Sequence, residues 1–101
     1  DSLISPGDIL AGGQVIRSVL SPYVRIDEEA RVEESVLFDG VKVGAGCRLF
    51  RTIVDKDVRL PPGLVVGANP KRDAKRFTRS PGGVVVIPRR MKFKGPGKPE
   101  R

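Results

Sequence analysis

Aliphatic side chains recur along this chain with a period that neither a helix nor an ordinary strand can hold. Ile9, Ile26, Val43 and Leu60 stand seventeen residues apart, as do Val15, Val32, Leu49 and Val66. Leu3, Leu20, Leu37 and Val54 make a third series. Two positions before these come smaller side chains: Val24, Val41 and Val58, then Gly13, Ala30 and Cys47, then Ser18, Ser35 and Thr52. Within a round the aliphatic steps are six, five and six residues, so one hexapeptide in three has lost a residue. A 3.6-residue period does not fit this spacing, and a strand of a whole round would be too long. Six-residue units in threes predict an all-β chain, a left-handed parallel β-helix of hexapeptide type with 17-residue coils. Each unit is a short strand and a corner, with an aliphatic and a small side chain both pointing inward. Polar and flexible residues fall at the corners, as in Asp39-Gly40, Gly44-Ala45-Gly46 and Pro61-Pro62-Gly63.

The repeat stops at Gly67, which divides the chain into a β-helix over 1–67 and a closing segment over 68–101. Ala68-Asn69-Pro70 reads as a turn, with Pro70 set to start a short helix through Arg76. Ser80-Pro81-Gly82-Gly83 is a second turn, and Val84-Val85-Val86-Ile87 a β-rich run closed by Pro88. The tail from Arg89 is basic, holds Pro96 and Pro99, and is expected to be flexible unless a partner holds it. With 101 residues, one modest core is possible and two domains are not. The chain opens on Asp1 without a methionine, which suggests a piece of something longer.

The charge is unevenly placed. Residues 1–70 carry eight basic and ten acidic side chains, whereas residues 71–101 carry eleven and two. There is no histidine, which removes a Ser/Cys–His pair, a histidine base and a His-ligated zinc. The single cysteine, Cys47, allows no internal disulfide; a reducing cytoplasm is the default compartment. No apolar run is long enough to span a membrane. Neither Gly12-Gly13 nor Gly44/Gly46 fits a phosphate-loop pattern, so these read as corner glycines. Cys47 lies in the small inward row and reads as a core thiol. Glu28-Glu29 and Glu33-Glu34 read as solvated carboxylates in preference to metal ligands. Ile16 and Phe50 share an outward column with Phe38 near them, which suggests an interface. The basic cluster keeps three readings: a solvated tail, a site for a small phosphorylated ligand, or nucleic-acid binding.

Several stretches together resemble a known family. Asp1-Ser2-Leu3-Ile4-Ser5, Arg17-Ser18-Val19-Leu20, Ile53-Val54-Asp55-Lys56, Leu64-Val65-Val66-Gly67 and Asp73-Ala74-Lys75-Arg76-Phe77 are similar to the C-terminal domain of bacterial ADP-glucose pyrophosphorylase (glucose-1-phosphate adenylyltransferase). The likeness runs from residue 1 to about residue 91. It implies a parent enzyme that makes ADP-glucose from ATP and glucose 1-phosphate in glycogen biosynthesis. Catalysis and its Mg2+ would belong to an N-terminal domain that this sequence lacks, with no cofactor in the piece itself. The piece is then expected to regulate and to build a homotetramer, packed on the catalytic domain of the same chain. It would also help to bind an anionic sugar-phosphate effector.

The resemblance places that effector on Lys56, Arg89, Lys92, Lys94 and Arg101. Lys56 stands two residues past inward Val54 and should point out of the prism. Arg89 follows the apolar run where the family has an effector-contacting arginine. Lys98-Pro99-Glu100-Arg101 resembles the tail of the fructose-1,6-bisphosphate-activated branch. Phe93 departs from that branch, which has an arginine there; Lys92 and Lys94 beside it are expected to compensate. A hexapeptide acyltransferase is disfavoured because that family generally uses a histidine. A nucleic-acid-binding or purely structural module with a basic tail is the alternative reading, although neither nucleic acid nor membrane is the expected partner.

Overall fold

The computed structural model describes residues 2–95 and 98–99. Each round of the repeat contributes three strands of two or three residues. The first has β1 (Ile9–Leu10), β2 (Gln14–Ile16) and β3 (Val19–Leu20); the second has β4 (Arg25–Ile26), β5 (Arg31–Glu33) and β6 (Val36–Leu37). The third has β7 (Lys42–Val43), β8 (Arg48–Phe50) and β9 (Thr52–Val54), and β10 (Arg59–Leu60) and β11 (Val65–Val66) begin a fourth. Like strands stack in parallel, giving sheets β1-β4-β7-β10 and β2-β5-β8-β11 and a third that starts β3-β6-β9. The chain is a β-solenoid of about three turns, as the seventeen-residue spacing predicts.

Three inward columns fill the prism. Leu10, Ile26, Val43 and Leu60 stack in one, and Val15, Val32, Leu49 and Val66 in the second. Leu20, Leu37, Val54 and Ile87 make the third. From the second round on, these side chains are buried, and so are the small Val24, Ala30, Val41, Cys47 and Val58 beside them.

The first round is out of register with the predicted series. Ile9 pairs with Arg25 on the outward side, and Leu10 takes the inward place. Leu3 likewise bridges to Val19, not to the inward Leu20. The cause is a short corner. Ala11 N–H donates to the Ile26 carbonyl and Gln14 N–H to the Ala30 carbonyl, so Gly12 spans what Glu28 and Glu29 span one coil later. Gly12 has φ +89°, the left-handed conformation that glycine adopts at little cost. A slip of one residue exchanges the two faces of a strand. The seventeen-residue period therefore holds after Gly12 and fails before it.

The five-residue step has a physical origin as well. Arg17, Glu34 and Arg51 turn that corner with φ of 44°, 49° and 49°. The next residue, Ser18, Ser35 or Thr52, is buried. Its hydroxyl donates back to the carbonyl of Ile16, Glu33 or Phe50 at 2.8, 2.8 and 3.0 Å. Two of these hydroxyl oxygens also accept from the next layer: Ser18 from Ser35 N–H at 3.0 Å, and Ser35 from Thr52 N–H at 3.1 Å. This hydroxyl ladder satisfies amide groups that the tight turn takes out of the strand pattern.

A short helix closes the far end. Gly67 continues the column above Phe50, where any Cβ would strike the Phe50 carbonyl, and its φ is +94°. Its N–H donates at 2.9 Å to Oδ2 of Asp73, buried inside helix α1 (Pro70–Arg76). Asn69 caps the helix by accepting from Arg72 N–H at 3.1 Å. Arg76 donates to Asp73 at 3.1 Å and to the Val65 carbonyl at 2.7 Å, and its guanidinium lies 4.9 Å from the centre of the Phe77 ring. The chain then forms β12 (Thr78–Arg79) and returns as β13 (Val85–Ile87). β13 pairs antiparallel with β12 and parallel with β9, so Ile87 fills the inward place above Val54.

Part of the tail that was expected to be flexible is held by the rest of the chain. Met91 and Phe93 pack against the edge of the core, with the Phe93 ring 6.2 Å from that of Phe77. β14 (Phe93–Gly95) pairs antiparallel with β15 (Lys98–Pro99). An apolar edge left open beside Phe77 supplies the partner that the reading of this segment as flexible had lacked. No helix among the described residues is long and apolar enough to cross a membrane.

Two outcomes follow from this packing. Leu37→Ala, at the centre of a column with 0% exposure, should lower unfolding free energy by about 2–5 kcal/mol in chemical denaturation; an unchanged midpoint would refute the column. At the other end Leu3, Ile4, Ile9 and Leu10 are 69, 48, 50 and 42% exposed, and β1 and β2 are edge strands. The 101-residue chain should therefore self-associate as its concentration rises, which sedimentation can measure, and Leu3→Glu with Ile9→Lys should suppress it.

Candidate functional site

The corner between the third sheet and the first gathers charge. Lys56 and Arg89 each stand two residues past the paired Val54 and Ile87, on successive layers of the same corner. Both are exposed. Arg89 lies 3.6 Å from Oδ2 of Asp57, the left-handed residue of that corner, with φ +59°. The side chains of this pair are 54 and 68% exposed, so the contact contributes little to stability. Lys56 is exposed, as expected from its place two residues past the inward Val54, and Arg89 stands on the next layer of the same corner. Lys92 lies further along, on the wall of a groove. Lys94 belongs to β14, and Arg101 lies outside the described residues.

The groove beside this corner holds about 840 Å³. One wall is the outward side of the first sheet, where Arg25, Lys42 and Arg59 stack in register behind Ile9. Stacked strands put these cations about 4.8 Å apart. The facing wall carries Arg90, Met91, Lys92 and Phe93, and Leu60, Pro61 and Pro62 give an apolar floor. Two carboxylates, Asp27 and Asp57, also line it. Arg25 Nε donates to Asp27 at 2.6 Å, whereas Lys42 Nζ donates to the neutral carbonyl of Tyr23 at 3.1 Å and keeps its charge uncompensated by that bond.

Arg25, Lys42 and Arg59 were absent from the residues that the sequence proposed, although their signal was present. Each immediately precedes an inward Ile26, Val43 or Leu60, so the same seventeen-residue period that defines the core also aligns three cations outside it. The excess of charge in the last third drew attention to the tail and away from this column.

The other candidate residues are dispersed. Ile16 and Phe50 share an outward column, but Glu33 lies between them. Phe38 follows β6 in a different sheet. Glu33 and Glu34 are engaged: Arg17 donates to both, at 3.3 and 3.1 Å, and Arg31 to Glu33 at 3.1 Å. Cys47 is buried, its thiol donating to the Pro61 carbonyl at 3.0 Å. Burial raises its pKa and outweighs the nearby backbone hydrogen bonds that lower it, so the reactive thiolate is disfavoured near neutral pH. Thiol-reagent labelling of Cys47 in the native chain should be slow at pH 7–8 and become fast on denaturation. Rapid native labelling would remove Cys47 from the core.

The profile of a family described as GlmU-like, C-terminal hexapeptide, matches residues 1–87. The chain is 46% identical over 93 residues to glucose-1-phosphate adenylyltransferase 2 of Vibrio cholerae, a match over 92% of this chain and 23% of that protein. It is 44% identical over 92 residues to glucose-1-phosphate adenylyltransferase of Anaeromyxobacter sp., covering 91% of this chain and 22% of the relative. Against the enzyme of the same name from Enterobacter sp. the identity is 43% over 101 residues, all of this chain and 23% of the relative. The chain thus spans less than a quarter of the length of these curated relatives.

Proposed function

The chain belongs to the GlmU-like C-terminal hexapeptide family, and from that premise we propose that it is the regulatory and oligomerisation domain of a glucose-1-phosphate adenylyltransferase. The observation that carries this reading is the 43–46% identity to enzymes of that name over 92–100% of this chain in the Vibrio and Enterobacter comparisons. The parent enzyme would form ADP-glucose from ATP and glucose 1-phosphate for glycogen synthesis in the cytoplasm. Its nucleotide chemistry and its Mg2+ would lie in a catalytic domain outside these residues, and no catalytic step is assigned to this chain. The solenoid would pack on that domain and contribute to a homotetramer.

Regulation, on this reading, acts at the Lys56 and Arg89 corner. Two exposed cations on successive layers suit the oxygens of an anionic sugar phosphate, since charge-assisted hydrogen bonds favour such groups. Arg89 pairs with the exposed Asp57, so an effector phosphate can replace that carboxylate without exposing a buried charge. Lys92, Lys94 and Arg101 would extend the cationic surface from the tail.

Lys56→Ala and Arg89→Ala in the full-length enzyme should weaken activation and leave unactivated turnover nearly intact. Loss of one charge-assisted contact, ~1.5–3 kcal/mol, raises the half-activating concentration roughly 10–150-fold. Activation curves that superimpose on the parent's would take both residues out of an effector site.

A further inference from the structure

Parallel sheets carry apolar residues on both faces where both faces are covered. The third sheet has such a composition. Leu20, Leu37, Val54 and Ile87 point inward, and on the outward side Val19, Val36, Ile53 and Val86 stack in register. The outward sides of the other two sheets carry Arg25, Lys42 and Arg59, or Arg31, Glu33 and Arg48. Val19 is 40% exposed and Val36, Ile53 and Val86 are half-buried, so this aliphatic stripe meets solvent. Phe38, also exposed, widens it at one edge. We propose that this face docks a second copy of the chain, the two third sheets packing against each other about a two-fold axis parallel to their strands.

Charge along one flank selects both the partner and the register. Arg17, Glu34 and Arg51 turn the corner beside Val19, Val36 and Ile53, so the sign alternates from layer to layer. A two-fold axis parallel to the strands reverses the order of the layers and lays this flank against its own copy. With the axis in the Glu34 layer, Glu34 would face its own equivalent. With the axis midway between the Glu34 and Arg51 layers, each Glu34 faces Arg51 of the partner copy, twice over. The same register sets Val36 against Ile53 and Val19 against Val86, so all four aliphatic residues are matched. Arg17 then faces the neutral Val84, which stands above Arg51, and keeps its own bonds to Glu33 and Glu34. Arg51 donates to the neutral Gly82 carbonyl at 3.2 Å, a bond that leaves its charge uncompensated.

The face is also large enough. A stable pair buries roughly 800 Å² of each partner, about an eighth of the 6051 Å² surface of this chain, and one side of a three-sheet prism can supply that. The inference rests on the oligomerisation reading above and adds the face. A chain that stays monomeric rejects the face, whereas that reading fails only if the full-length enzyme is itself a monomer.

The test is sedimentation equilibrium on the 101-residue chain carrying Ile9→Lys, a change on the first sheet that weakens association through the open end. The chain should form a pair of twice its 11.0 kDa mass. Ile53→Glu, on the outward side of its strand, should abolish that pair. Glu34→Arg should weaken it roughly tenfold, because two like-charge contacts replace two attractive ones. Adding Arg51→Glu to Glu34→Arg should restore it, since the exchanged charges match again. A chain that remains monomeric, which would leave the face to another segment of a longer protein, would overturn the proposal. So would a pair that survives Ile53→Glu, or a double exchange that pairs no more tightly than Glu34→Arg alone.

Discussion

Every strand in this molecule is too short to persist alone, and parallel stacking one coil above another is the constraint on which the rest depends. A segment such as Ile26 or Leu60 with one neighbour has at most a few ladder hydrogen bonds, far less than the chain entropy of ordering it. Stability comes from repetition: each layer satisfies the backbone groups of the next and closes the apolar column over it. Residues of one column must then be alike in size and polarity, because each meets its own equivalents at about 4.8 Å. Leu20, Leu37 and Val54 below Ile87 show this inside the prism, and Arg25, Lys42 and Arg59 show it outside.

Such a stack needs sharp corners and a defined end. The corners are turned by residues in the left-handed region, and the hydroxyls of Ser18 and Ser35 accept from the amides that one of these corners displaces. An alanine at Ser18 or Ser35 would come close to the size and lose both bonds. The end is made by chemistry of another kind. Gly67 permits the close approach to Phe50, Asp73 receives its N–H, and Arg76 ties the helix to Val65. The stretch Asp73 to Phe77, prominent in the resemblance, is thus accounted for by its part in closing the solenoid.

Much of this was legible because the pattern is periodic. The inward Val32, Leu37, Val43 and Leu49 could be placed from spacing, and the helix started by Pro70 and the β-run at Val85 from turn and proline signals. Two things could not. Ile9 and Leu10 are both aliphatic, so composition could not say which faces inward; the decision lies in the length of the Gly12 corner, a backbone property that leaves no hydrophobic signature. The groove has a different obscurity. Its cations are far apart in sequence and its aromatic wall comes from the tail, so it exists only after both segments have found the same face of the prism. Lys56 and Arg89 were placed by family likeness, and their shared corner is explained by the pairing of β9 with β13.

That pairing also imposes an order of assembly. Most strand contacts join residues sixteen or seventeen positions apart, but Val54 and Ile87 are thirty-three apart, with a helix and a hairpin between them. The coils can zip up by short loop closures, whereas β13 must wait until the intervening segment has folded over the end. It is the latch of the solenoid, and the last rung to close is the first available to open. Lys56 and Arg89 sit on opposite sides of that rung. An anion shared by them would bind only the latched form and so draw the equilibrium toward it, by a free energy set by its concentration relative to its dissociation constant. Occupancy of the corner and closure of the solenoid are then one thermodynamic event, observable as protection of the β13 amides from hydrogen exchange.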